Sequence, residues 1–126
     1  MSLRATRILL VEDAPDVREA LEALLRAEGA EVMTTACGRE ALQCAERASF
    51  AVMLTDLGLP DIPGHILIRE ILAMTPHHPR VIAMTGFGEP YVGQARAAGA
   101  DEVLTKPLEW RELLRALQPN DESLAA

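Results

Sequence analysis

The segment Val52-Met53-Leu54-Thr55-Asp56-Leu57-Gly58-Leu59-Pro60-Asp61-Ile62-Pro63-Gly64 carries the reading of the fold. Its first four residues are nearly continuous in hydrophobicity, as a strand buried on both faces of a sheet should be. An aspartate follows at once, and glycine and two prolines then break regular structure. A buried strand thus ends in a carboxylate delivered to the sheet edge.

Four further apolar runs flank this one: Ile8-Leu9-Leu10-Val11, Glu31-Val32-Met33-Thr34, Val81-Ile82-Ala83-Met84 and Val103-Leu104-Thr105. The second run in the chain, Glu31–Thr34, is more polar and reads as an edge strand. Helical patterns alternate with the runs. Val17, Leu21, Leu24 and Leu25 recur at helical spacing, with Pro15 in a first-turn position and Gly29 as terminator. Ala41, Leu42 and Ala45 mark a second helix after Gly38. Leu67, Ile71 and Met74, with Ile68 and Leu72, mark a third that ends before Pro76. A fourth, from about Glu89 to Ala98, is alanine-rich and interrupted by Gly93. Trp110, Leu113, Leu114 and Leu117 mark a fifth, stopped by Pro119. Strict alternation with short connections predicts one α/β domain, a parallel sheet with helices on both faces.

The chain has 126 residues, a usual size for one domain, of which 49% are hydrophobic and only 3% aromatic, so the core must be aliphatic. The methionines read as filler of that core. A net charge of -7 and the lack of any Lys/Arg run argue against direct nucleic-acid binding. No long apolar stretch suggests membrane contact. Cys37 and Cys44 would stand roughly 10 Å apart along a helix, too far for a disulfide, which fits a reduced, cytoplasmic setting. They read as small apolar fillers. The domain is expected over 7–118, with 1–6 a leader and 119–126 a frayed tail.

Doubly wound sheets bind ligands outside the carboxyl ends of their strands. Glu12 and Asp13 follow the first strand, Asp56 the third, Thr85 ends the fourth and Lys106 follows the fifth. Three carboxylates in one crevice would each resist ionisation. A divalent cation removes that conflict, and a small oxygen-only ligand set suits Mg²⁺ or Mn²⁺. Phosphoryl transfer needs charge neutralisation and positioning more than covalent machinery. Lys106 would supply a second positive charge, Thr85 a hydrogen bond, and one of the carboxylates a nucleophile.

The motifs Val-Glu-Asp at 11–13, Leu-Thr-Asp-Leu-Gly-Leu-Pro-Asp-Ile-Pro-Gly at 54–64, Met-Thr-Gly at 84–86 and Gly-Ala-Asp-Glu-Val-Leu-Thr-Lys-Pro at 99–107, in this order and spacing, resemble a response regulator receiver domain of two-component signalling. The resemblance spans about Arg7 to Leu117. It implies a flavodoxin-like doubly wound five-stranded parallel sheet, order 2-1-3-4-5, with five helices on both faces. It also implies Asp56 as phosphoacceptor, with Mg²⁺ held by Asp13, Asp56, the Gly58 backbone carbonyl and, through water, Glu12. Thr85 would be the switch hydroxyl, Lys106 the partner of the phosphoryl oxygens, and Lys106–Pro107 a cis peptide. Implied partners are a histidine kinase or phosphotransfer protein, with an output domain or hybrid-kinase domains in a longer parent chain. Such a domain is a signalling phosphoacceptor, catalysing at most its own phosphorylation and dephosphorylation.

One departure stands out. The family usually has Tyr or Phe three residues before the lysine, and Val103 stands there. This lends weight to a phosphorylation-independent pseudo-receiver, a binding module. The other rival, a Mg²⁺-dependent phosphohydrolase with an Asp nucleophile, lacks the long insertions that would cover a substrate. His77 and His78, between two prolines, are too close together to build a tetrahedral site unaided, and His65 reads as a surface histidine. Tyr91 and Trp110 read equally as partner-binding or packing residues.

Overall fold

In this computed structural model, which describes residues 3–118, the five expected strands and five helices alternate: β1 (Arg7–Val11), α1 (Pro15–Ala27), β2 (Glu31–Thr35), α2 (Gly38–Arg47), β3 (Val52–Asp56), α3 (Gly64–Met74), β4 (Arg80–Thr85), α4 (Tyr91–Ala98), β5 (Glu102–Thr105) and α5 (Trp110–Leu117). The expected stop at Pro119 and the tail from 119 to 126 lie outside the described residues, as do Met1 and Ser2. All four strand pairings are parallel, in the order β2-β1-β3-β4-β5.

Burial follows strand position. All five residues of β3 are buried, as are the last four of β1 and the last five of β4. Edge strand β2 is only partly covered, with Val32 and Thr35 inside and Glu31 and Met33 outside. Because side chains of a strand point alternately to the two faces, the sheet divides its apolar residues between two cores. Ile8, Leu10, Val52, Leu54, Ile82 and Met84 meet Leu21 and Leu25 of α1 and Leu113 and Leu117 of α5. Leu9, Val11, Met53, Val81 and Ala83 meet Ala41 of α2, Leu67 and Ile71 of α3 and Ala95 of α4. Each large aliphatic side chain so buried contributes roughly 1.5–3 kcal/mol relative to exposure.

Several local expectations need correcting. Val17 and Leu24 share the α1 periodicity yet are 39% and 42% exposed. The stripe facing the core is narrow, because Leu24 lies about 60° around the helix from Leu21 and Val17 sits in the first turn. Met53 and Met84 fill the core, but Met33 and Met74 are exposed, one on the outer strand and one at a helix end. Leu3, set aside with the leader, is buried in the core and donates its N–H to the Glu28 carbonyl at 2.9 Å. His65 is half-buried at the start of α3.

Gly29 ends α1 at φ 98°, where a side chain would be strained. Gly93, expected in the middle of the fourth helix, lies in the first turn of the shorter observed α4. There its N–H donates to Glu89 Oε1 at 2.7 Å, so an acceptor meets a free donor of the helix end. Cys37 and Cys44 are free thiols at the start of and within α2; burial pushes the Cys44 thiol above its ordinary pKa. Among the described residues, no helix is long and apolar enough to cross a membrane.

Candidate functional site

The parallel registers bring the strand ends level. Val11 pairs with Thr55, Asp56 with Met84, and Thr85 with Thr105. Glu12, Asp13, Asp56, Thr85 and Lys106 therefore arrive together at the carboxyl edge. Backbone bonds hold that edge: Leu57 N–H donates to the Met84 carbonyl at 3.0 Å, and Lys106 N–H to the Thr85 carbonyl at 2.8 Å. The Lys106–Pro107 peptide is cis, as expected.

Glu12, Asp13 and Asp56 each place a carboxylate oxygen within 4.8 Å of the others. Glu12 is fully buried, Asp56 is 7% exposed and Asp13 faces solvent. The Lys106 ammonium bridges the two buried acids, donating to Asp56 Oδ2 at 3.0 Å and to Glu12 Oε1 at 3.1 Å. Gly58 N–H donates to Asp56 Oδ1 at 3.1 Å, and Ala14 N–H to Glu12 Oε2 at 3.2 Å. Burial pushes the Glu12 carboxyl above its ordinary pKa, outweighing the Ala14 N–H and Lys106, while the neighbouring Asp56 charge adds to the rise. Burial alone would lower the pKa of Lys106, yet its hydrogen bonds to Asp56 and Glu12 prevail and hold it above the ordinary value.

This donor set is all oxygen, strongly anionic and only partly neutralised by one lysine, a chemistry suited to a hard divalent cation. Gly58, two residues beyond Asp56, is exposed, with no side chain to obstruct the opening. Thr85 is buried, and its Oγ1 accepts the N–H of Phe87 at 3.0 Å. Asp56, Leu57, Gly58, Thr85, Gly86, Phe87, Tyr91 and Lys106 line a cleft of about 350 Å³. The structure thus brings together every residue singled out from the sequence for this edge. His77 and His78 are exposed and belong to no metal-holding group among the described residues.

Three contributors were not legible in the sequence. Arg18 Nη1 donates to the carbonyls of Glu12 at 2.8 Å and Asp13 at 3.3 Å, fixing the acid pair from the second turn of α1. Asp61 accepts the N–H groups of Gly38 at 2.8 Å and Arg39 at 2.9 Å, tying the β3–α3 loop to the start of α2. Phe87 forms a wall of the cleft and contacts Tyr91, with ring centroids 5.6 Å apart. Signals existed for the first two, an Arg one turn into a helix and an Asp in a loop; neither pattern is specific.

The fold and the acidic edge define a class, and comparison with known proteins identifies it. Residues 8–118 match the family model of the response regulator receiver domain. The chain belongs to that family, whose members serve two-component signalling. It is 36% identical over 111 residues to the response regulator protein FleR of Pseudomonas aeruginosa, covering 87% of this chain and 23% of FleR. It is similar to the receiver domain of the sensor histidine kinase PA1611 of Pseudomonas aeruginosa, solved with a magnesium ion in its active site cleft (TM-score 0.83, 32% identity, 97% of this chain and 99% of that one). A response regulator from Burkholderia pseudomallei, solved with a phosphorylated aspartic acid, a calcium ion and citrate, has a TM-score of 0.84 at 28% identity over 95% of this chain and 71% of that one. The chain spans less than half the length of the curated relatives it matches.

Proposed function

We propose that this domain accepts a phosphoryl group on Asp56 from a histidine kinase or phosphotransfer protein. The observation that carries the reading is the convergence of Glu12, Asp13 and Asp56 within 4.8 Å beside Lys106. An Asp56 oxygen attacks the phosphorus of the donor phosphohistidine. The new P–O bond forms as the P–N bond breaks, and the electron pair stays on the imidazole nitrogen, which takes up a proton. Lys106 neutralises charge on the phosphoryl oxygens, and the Thr85 hydroxyl donates to one of them. Asp13, Asp56, the Gly58 carbonyl and, through water, Glu12 would hold Mg²⁺ or Mn²⁺. The bound cation supplies positive charge to the phosphoryl oxygens.

The modification adds about −1.5 to −2 charge, which biases an equilibrium in the loops after β3 and β4 and in α4. The domain proper is 7–118, packed back onto Leu3, and works as a switch in the cytoplasm rather than as a turnover enzyme. Its output lies in a partner or in further domains of a longer chain, either an output domain or a hybrid kinase. The PA1611 likeness supports the hybrid-kinase arrangement.

The deciding experiment is intact-protein mass spectrometry after incubation with acetyl phosphate and Mg²⁺, with Asp56→Asn alongside. A Mg²⁺-dependent gain of one phosphoryl group, absent in the variant, is expected. The same gain in Asp56→Asn would overturn the site. Partner binding unaffected by Asp56→Asn would favour the pseudo-receiver, a reading to which Val103 lends its only support.

A further inference from the structure

The chain has four aromatic residues, and two of them stand together at the mouth of the charged cleft. Phe87 is 70% exposed and Tyr91 47% exposed. Their rings lie 5.6 Å apart, tilted by 44°, a separation within the attractive range for aromatic pairs. Phe87 is joined to the cleft by its own backbone, because its N–H donates to Thr85 Oγ1. Tyr91 opens α4, and its N–H donates to the Gly88 carbonyl at 3.1 Å. The residues on either side of Phe87 are Gly86 and Gly88, and the space where a Cβ would stand is open at both. A short and unobstructed segment therefore links a buried hydroxyl to the first turn of a helix.

A phosphoryl group offers only acceptor oxygens. Thr85 has one hydroxyl hydrogen to give, and where its side chain turns toward the phosphoryl group to give it, the oxygen that now accepts from Phe87 moves with it. Hydrogen bonds weaken steeply as their angle departs from linearity, so the Phe87 N–H must loosen from Thr85 or follow it. Either response moves the Phe87 ring against Tyr91. On β5, Val103 is a branched aliphatic residue packed against the core, with no ring to swing. We infer that in this chain the Phe87–Tyr91 pair is the mechanical link by which the state of Asp56 reaches α4. The inference rests on the reading of Asp56 as phosphoacceptor.

The test uses the full chain, ¹⁵N-labelled, with and without acetyl phosphate and Mg²⁺. Phosphoryl occupancy is read by intact mass, and the response by the amide signals of Ala95, Ala97 and Ala98 in α4. The variants are Phe87→Ala, Tyr91→Ala and Phe87→Tyr, each checked for folding by circular dichroism. Per phosphoryl group carried, the α4 shifts of both alanine variants should fall to under about half of the unmodified chain's, while Thr85 still responds. Phe87→Tyr should restore them. An α4 response of full size in both alanine variants overturns the link and leaves the phosphoacceptor reading intact. So does an α4 that does not respond in the unmodified chain although the group is carried. Absence of phosphoryl gain in the unmodified chain overturns both.

Discussion

The Lys106 ammonium lies 3.0 Å from Asp56 Oδ2, and the same nitrogen reaches Glu12 at 3.1 Å. One flexible cation therefore holds two buried acids that would otherwise repel each other. It occupies the neighbourhood a metal ion would compete for.

Removing that ammonium should expose the conflict. Lys106→Ala should destabilise the metal-free protein by about 2 kcal/mol, less than a fully buried pair would cost because Lys106 is part-exposed. Saturating Mg²⁺ should recover more of the melting temperature in the variant than in the unmodified chain. At a hundredfold excess over Kd, ligand binding contributes about 2.7 kcal/mol. Phosphoryl uptake should slow by roughly 100-fold, the usual consequence of losing one stabilising donor. Calorimetric melts with and without Mg²⁺ check the first claim, and timed mass spectra the second.

Glu12 carries the opposite cost. Its pKa is raised from an ordinary 4.5 chiefly by burial, so the folded protein holds the proton more tightly than the unfolded chain. The associated stability is present below that ordinary value and is lost as pH rises through the folded one. Glu12→Gln should therefore raise the melting temperature of the metal-free protein near neutral pH. It should also flatten the pH dependence above the ordinary carboxylate range. In a metal titration Asp13→Ala should weaken Mg²⁺ binding more than Glu12→Ala. Equal and negligible losses would count against the cation site.

At Asp61 the sign reverses. The Arg39 N–H, with Gly38 behind it, holds this carboxyl below its usual value of 3.8. Its stabilising effect is present above that value and disappears as pH falls through the lower folded one. Asp61→Ala should lower the melting temperature near neutral pH, and the gap to the unmodified chain should close in strong acid. Paired melts across that range decide it.

Gly64 tests the loop that carries Gly58. A Cβ there would stand 2.5 Å from Leu57 Cα, a backbone atom that cannot swing aside. Gly64→Ala should cost about 1–3 kcal/mol and also reduce Mg²⁺ affinity by displacing the segment next to Asp56. Normal Mg²⁺ affinity in a destabilised variant would separate the loop from the cation site.

The strands were legible because two-sided burial leaves almost no freedom: Val52–Leu54 and Val81–Met84 must be apolar, and they are. Their ends extended by a residue, since hydrogen-bond ladders run past the last apolar side chain, as at Asp56. The charged edge was legible for the same reason, as each acid or lysine interrupts a run that burial otherwise forbids. Periodicity misled at Val17 and Leu24, where helical spacing alone does not say how much of a helix face the sheet covers. Arg18 and Asp61 were illegible because each acts on backbone groups of residues distant in sequence or across a turn, and Phe87 because its role rests on its own N–H and on a ring contact with Tyr91. Such bonds depend on where the chain goes, not on a pattern of side chains.

Leu3 and Leu117 share one core, and together with Gln118 they border the same hollow beside Thr6, Val52 and Arg80, at the amino edge of the sheet. The first and last described residues thus lie around one hollow, at the opposite edge of the sheet from the charged cleft. The domain is a cassette: a short bridge from Gln118 to Leu3 would close the described body into a ring. A circular permutant opened at an exposed turn, or a copy spliced into a host protein, would keep its chemistry facing outward.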